Sequence, residues 1–266
     1  MPWSLFDILT GLPAYALGLF RVSGLIMTAP VFGSRMIPVR VRAALAFVMA
    51  ATIFPIVARQ SPADASLSTV LAGGVSELLI GVTIGLSLTI FMMGAEVAGR
   101  AAGQQAGLAI SQVVDPTTDE QVSTLGSLYS IVLTTVFLMI GGHRATAAAL
   151  MDTYRAVPLM SFQVTESIGL LLTEMLSAAF ILGIRVGAPI IIAVFLTGAA
   201  LGFLSRTMPQ LNILSVGFTV RLLIAMAIGG VALSLSGDVM VNAIFAALET
   251  VRSAVGVDPL NTRLTY

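Results

Sequence analysis

Six long apolar stretches dominate this sequence, near residues 12–31, 41–58, 68–95, 127–142, 168–200 and 213–248. About 20 helical residues cross a hydrocarbon core of about 30 Å, so each shorter stretch predicts one pass. The longest stretches are ambiguous between one tilted or broken helix and a tight hairpin, and six spans are expected. Only 10% of the 266 residues are charged and the mean hydropathy is +1.01. A soluble domain carries about 25% charged residues, so this chain belongs in a membrane or in a large apolar assembly. The expected fold is all-α, with kinked helices and helical hairpins. Asp7 is the first charge and Pro13 interrupts the first apolar run, so the N-terminal segment reads as retained and not as a cleaved signal.

Several function classes drop out on residue chemistry. There is no Cys and a single His, which excludes disulfides, thiol nucleophiles and clusters of soft metal ligands. The carboxylates are dispersed, no phosphate-binding Walker loop is present, and the net charge is zero. The sequence therefore predicts no enzyme, catalytic residue, metal site or cofactor, and no nucleic-acid binding.

The charges that remain are badly placed for lipid. Arg21, Glu77, Glu96, Glu174, Arg185 and Arg221 lie within or beside the apolar windows, and intramembrane charges face protein, water or a partner. Arginines at 35, 40, 42 and 59 flank both ends of the second window. Both ends cannot be cytoplasmic if that segment spans, so it reads either as a hairpin or as a segment that does not cross in the ordinary way.

Small residues and prolines shape the helices. Gly81 and Gly85, then Gly99, Gly103 and Gly107, recur every four residues, with Gly94, Ala98, Ala102 and Ala106 alongside. Such a face lets a neighbouring helix approach closely, whether from this chain or from another subunit. Glu96 and Arg100 form an i,i+4 pair that contributes about 0.2–0.5 kcal/mol when exposed. Pro30, Pro38, Pro55, Pro158, Pro189 and Pro209 read as breaks, and Pro189 predicts a kinked or discontinuous helix. His143, after Gly141-Gly142, reads as a helix-end or interface residue.

The stretch from Ser111 to Ser123 carries Asp115, Asp119 and Glu120 and no base. It is either a simple solvent loop or a loop reaching into a water-filled passage, where its polarity is tolerated.

Read in order, several motifs resemble one family. They are Arg21-Val22-Ser23-Gly24, Thr28-Ala29-Pro30-Val31-Phe32-Gly33-Ser34-Arg35, and Ile37-Pro38-Val39-Arg40-Val41-Arg42, followed by Glu96, Gly99, Gly107, Val114-Asp115-Pro116 and Gly142-His143. Leu201 to Asn212, with Arg206, Pro209, Gln210 and Asn212, completes the set. Together they resemble the FliR family (SctT-like) of the flagellar type III export gate over nearly the whole chain. Phe218-Thr219 departs from it, since the family often has a Phe-Pro step there.

The resemblance implies an inner-membrane subunit of the flagellar basal body, packed in a spiral around a protein-conducting channel. Its implied partners are FliP-like and FliQ-like subunits, FlhB-like and FlhA-like export components, and unfolded protein substrates. Residues 1–200 would be a P-like part and 201–266 a Q-like part. Gly107, Ser111, Gln112, Asp115 and Pro116 would belong to a channel plug, and Gly99 and Gly103 to helix packing. Arg21, Pro30, Phe32, Gly33, Arg35, Pro38, Arg206, Pro209, Gln210 and Asn212 would be structural signature positions. The equivalent subunit of a virulence injectisome is the nearest alternative. A small-solute secondary transporter is a distant one, because the sequence shows no inverted pair of broken helices.

Overall fold

The computed structural model describes residues 5–34, 36–58, 66–107, 123–161, 166–208 and 213–254. These residues form eight helices and no strand: α1 Leu5–Thr28, α2 Val39–Val57, α3 Leu67–Ala106, α4 Thr124–Met139, α5 Gly142–Ala156, α6 Glu166–Thr207, α7 Ile213–Leu235 and α8 Gly237–Ala254. Among them α1, α2, α3, α6 and α7 are each long and apolar enough to cross a membrane, and α4 with α5 supplies a sixth span if taken together.

Several expectations change at the level of single elements. The second window is one 19-residue helix and not a hairpin, so the arginine conflict is not resolved by folding the segment back on itself. α3 and α6 are continuous over 40 and 42 residues, which removes the hairpin option for both. Pro13, Pro55 and Pro189 all lie inside helices, so α6 is not discontinuous at Pro189. In a membrane protein a helix carries a proline where neighbouring groups re-satisfy the freed carbonyl. The last apolar run, by contrast, divides at Ser236. Its amide bonds to the Leu233 carbonyl and its hydroxyl to that of Ala232, at 3.2 and 2.5 Å, ahead of α8.

Local chemistry explains the other boundaries. Pro38 stands extended (φ −55°, ψ 140°) immediately before α2, and Ser123 caps α4 by accepting from the Gly126 amide at 3.2 Å. Gly141 joins α4 to α5 at φ +75°, a left-handed conformation that glycine adopts without a Cβ penalty.

The chain divides into two compact units. The first holds Met1–Ile90, Gly141–Met175 and Phe245–Tyr266, and the second holds Phe91–Ile140 and Leu176–Ile244. In the first, Leu17, Leu25, Ile53, Ile84 and Leu150 are buried; in the second, Phe91, Leu133, Phe137, Leu182 and Ile190 are. Within the first unit Arg252 of α8 meets Asp152 of α5 at 3.6 Å.

Candidate functional site

No cluster of metal ligands occurs among the described residues. The notable arrangements are close-packed seams, one in the first unit and two in the second.

In the first unit α1 lies backbone to backbone against α3. A Cβ on Gly24 would strike the Leu78 carbonyl oxygen, one on Gly81 the Arg21 carbonyl oxygen, and one on Gly85 the Thr28 hydroxyl. Arg21 faces Glu77, Gly24 faces Gly81 and Thr28 faces Gly85 in step, so the two helices run parallel with one register. The Thr89 hydroxyl then donates to the Thr28 carbonyl at 2.6 Å.

At the level of Arg21 this seam holds a fully buried ion pair. Arg21 Nε donates to Glu77 Oε2 at 2.6 Å, and neither side chain is exposed at all. Nη1 donates to Thr153 Oγ1 at 3.0 Å and Nη2 to the Val157 carbonyl at 3.2 Å, both around the end of α5. The guanidinium carbon sits 4.3 Å from the centroid of the Tyr154 ring, a cation–π geometry, and the Tyr154 hydroxyl returns to α1 through the Gly18 carbonyl at 2.9 Å. Glu77 Oε1 accepts the Met160 amide at 2.9 Å, in a residue whose φ is +63°. One guanidinium thus joins α1, α3 and α5. A buried pair is held by such a full set of hydrogen bonds, and removing one partner alone costs about 3–5 kcal/mol.

Just beyond α1 the chain turns sharply. The Gly33 amide donates to the Ala29 carbonyl at 2.8 Å, and a Cβ on Gly33 would lie 2.8 Å from the Met27 carbonyl oxygen. Val31, in this turn, has φ +73°, which a β-branched residue adopts only under strain of about 1–3 kcal/mol. Val31→Gly is expected to stabilise the chain by about 1 kcal/mol after glycine's entropy loss, read as a higher unfolding midpoint in detergent.

In the second unit α3 packs on two sides. Gly94 lies against Ala179 of α6, and Gly183 and Gly187 of α6 lie against Gly94 and Ala98. Gly99 meets the opposite neighbour: its Cβ would stand 2.6 Å from the Leu125 carbonyl oxygen and 2.9 Å from the Gly126 Cα of α4. The single small-residue face expected after Gly94 is therefore two seams, because Gly94 and Gly99 differ by five residues and point to different sides of the helix. Gly103 is looser: a Cβ there would lie 3.2 Å from Ser123 Oγ. Gly99→Ala is expected to lower stability by about 1–3 kcal/mol, and Gly103→Ala by well under half of that, in the same melting assay. Glu96 and Arg100 make the expected exposed i,i+4 pair at 2.9 Å.

The signature positions are spread over both units. Arg21 sits in the buried pair, Pro30, Phe32 and Gly33 in the turn after α1, and Pro38 before α2. Arg206 is exposed in the last turn of α6. Gly107 closes α3 at φ +89°, with its amide on the Gln104 carbonyl at 3.0 Å. Arg35, Ser111, Gln112, Asp115, Pro116, Pro209, Gln210 and Asn212 lie outside the described residues. His143 is half-buried, with Nδ1 enclosed and making no hydrogen bond among the described residues.

Sequence reasoning flagged Arg21 and Glu77 separately and did not pair them, and it passed over Thr153 and Tyr154. A usable cue was present: each charge stands three or four residues before a glycine, Gly24 or Gly81, on which two helices can meet.

Comparison with known proteins gives a consistent picture. The family model described as bacterial export proteins, family 1, matches residues 12–247. The chain is 30% identical over 221 residues to the flagellar biosynthetic protein FliR of Escherichia coli strain K12, covering 83% of this chain and 84% of that one. It is 25% identical over 248 residues to FliR of Bacillus subtilis strain 168, covering 92% and 95%. It is also 28% identical over 214 residues to the Yop proteins translocation protein T of Yersinia pestis, covering 79% and 82%.

Proposed function

This chain belongs to family 1 of the bacterial export proteins, and from that premise we propose that it is a core subunit of the flagellar type III export gate in the inner membrane. In this reading it forms part of the channel and plug through which unfolded flagellar proteins cross, within the basal body. The carrying observation is the match over residues 12–247 together with FliR relatives aligned over most of both chains. The exposed apolar side chains add support. Phe195, Phe203, Leu235 and Met139 are 69%, 75%, 75% and 81% exposed in the isolated chain, as expected of a subunit whose surfaces are covered by lipid and neighbours.

FliP-like and FliQ-like subunits would supply most of those neighbours, with FlhB-like and FlhA-like components beside them. Residues 1–200 act as the P-like part and 201–266 as the Q-like part. Gly99 and Gly103 serve close helix packing. The segment following Gly107, with Ser111, Gln112, Asp115 and Pro116, serves as plug. Such a gate does no covalent chemistry; it must block small ions while idle and yield to an extended chain.

Deleting 111–121 is expected to raise ion conductance through the closed, reconstituted complex and to change secretion of hook and filament proteins. Unchanged conductance with unchanged export would remove the plug assignment. The similarity to a Yop translocation protein keeps the injectisome reading as second. Loss of the gene separates the two: flagellar assembly fails in one system, effector secretion in the other.

A further inference from the structure

Between Glu174 and Asp238 the sequence contains three arginines, Arg185, Arg206 and Arg221, and no acidic residue. In the second unit this stretch forms α6 from Leu176 onward and the whole of α7. The two helices pack antiparallel there, with Gly229 beside Ile190 and Gly198 beside the Arg221 guanidinium. α6 buries Leu182, Val186, Ile190 and Val194, while Ile184, Ile192 and Phe195 are 67%, 57% and 69% exposed. Arg185 is exposed along with them and makes no ion pair among the described residues. Arg221 is half-buried, and its Nε is enclosed without a hydrogen-bond partner. Arg206, in the last turn of α6, reaches water on its own.

Water is a poor cover for a face on which Ile184, Ile192 and Phe195 flank Arg185, which leaves three others. Lipid cannot cover all of it: residues 176–207 have a contour length of about 48 Å at 1.5 Å per residue, against a hydrocarbon core of about 30 Å. Lipid also gives no partner to a guanidinium within the apolar region. A second copy would offer the same acid-free surface and bring arginine toward arginine. A different subunit remains, and the charge pattern states what it must carry.

Resting on the reading of this chain as one subunit of a multisubunit gate, we propose that the α6/α7 face of the second unit docks an apolar helix of another subunit. That helix brings a carboxylate to Arg185, with a second one positioned for Arg221. An arginine with a carboxylate beside it and no water is a strongly specific contact, so these two positions would set the register of the docked helix.

The test is made on the assembled complex. A photo-crosslinking residue placed at Ile184 or Ile192, with both arginines intact, is expected to join this chain to another subunit within an apolar helix containing Asp or Glu. Arg185→Glu is then expected to lower co-purification of that subunit about tenfold or more, Arg185→Lys to lower it less than Arg185→Glu does, because charge is kept and the planar fork is lost, and reversal of the mapped acid to Lys to restore it in the Glu variant. Adducts only with lipid, adducts with a second copy, an acid-free cross-linked segment, or wild-type recovery of the Arg185→Glu complex would each overturn the proposal. Flagellar export measured in the same strains separates the two readings. Failure of docking with export dependent on the chain leaves the gate function standing, whereas export that persists without the chain removes that function whatever the adducts show.

Discussion

Replacing Arg21 with Ala is expected to destabilise the chain by about 3–5 kcal/mol and to lower the recovery of folded protein from the membrane. The loss has three parts. Glu77 is left enclosed without its counter-charge, the Thr153 hydroxyl and Val157 carbonyl lose their donors, and the Tyr154 ring loses the cation above it. An uncompensated buried charge dominates that sum. Domains of ordinary stability hold about 5–15 kcal/mol, so one such change consumes a large fraction. Glu77→Ala should behave alike, stranding Arg21. Arg21→Lys should be intermediate, since one ammonium cannot reproduce a planar fork that meets three acceptors in different directions. The informative variant is the pair Arg21→Met with Glu77→Leu: apolar groups of similar volume remove both charges together, and stability should return to within about 1–2 kcal/mol of the parent. Thermal melts of the four proteins in detergent check the order. A double variant as damaged as either single would show that shape, not charge compensation, governs this seam.

The second large effect is expected at Gly81. A side chain there has no space: its first carbon would meet the Arg21 carbonyl oxygen and would stand 2.8 Å from the Leu25 amide nitrogen. Both are main-chain atoms of α1, so no rotamer change relieves the clash and the two helices must separate. Overpacking costs about 1–3 kcal/mol where neighbours can shift. Gly81→Ala should exceed that range, because separation also stretches the neighbouring Arg21–Glu77 contact. Gly81→Leu should leave no folded chain. Gly230, whose added carbon would meet nothing within 4 Å, is the matched control, and Gly230→Ala should leave the melting midpoint unchanged or raise it by up to about 1 kcal/mol equivalent through helix propensity. If Gly81→Ala and Gly230→Ala melted alike, the parallel seam between α1 and α3 would be wrong.

The legible parts of this molecule are those governed by short-range physics. Apolar windows marked where helices lie because burial and backbone satisfaction in an apolar medium leave few other options. Glu96 and Arg100 were readable because four residues apart on one helix are neighbours by geometry. What could not be read depends on tertiary partners. Pro55 and Pro189 look like breaks in sequence yet sit within helices, since the cost of a missing hydrogen bond depends on what surrounds the freed carbonyl. The small-residue run after Gly94 looked like one face, but which side each glycine serves depends on the positions of α4 and α6. Arg21 and Glu77 were each recognisable as misplaced. At 56 positions apart in the chain, only the meeting of Gly24 and Gly81 makes them neighbours.

That pairing also sets a schedule for making the protein. Glu77 follows Arg21 by 56 residues, an interval of about 3–11 s at a synthesis rate of about 5–20 residues per second. During that time α1 has left the ribosome with a bare guanidinium in its apolar length, and placing an unpaired arginine at the centre of a span costs about 2.5–3.5 kcal/mol. α1 entering the bilayer alone carries that cost, whereas α1 entering with α3 does not, because Glu77 already neutralises the guanidinium across the closed glycine seam.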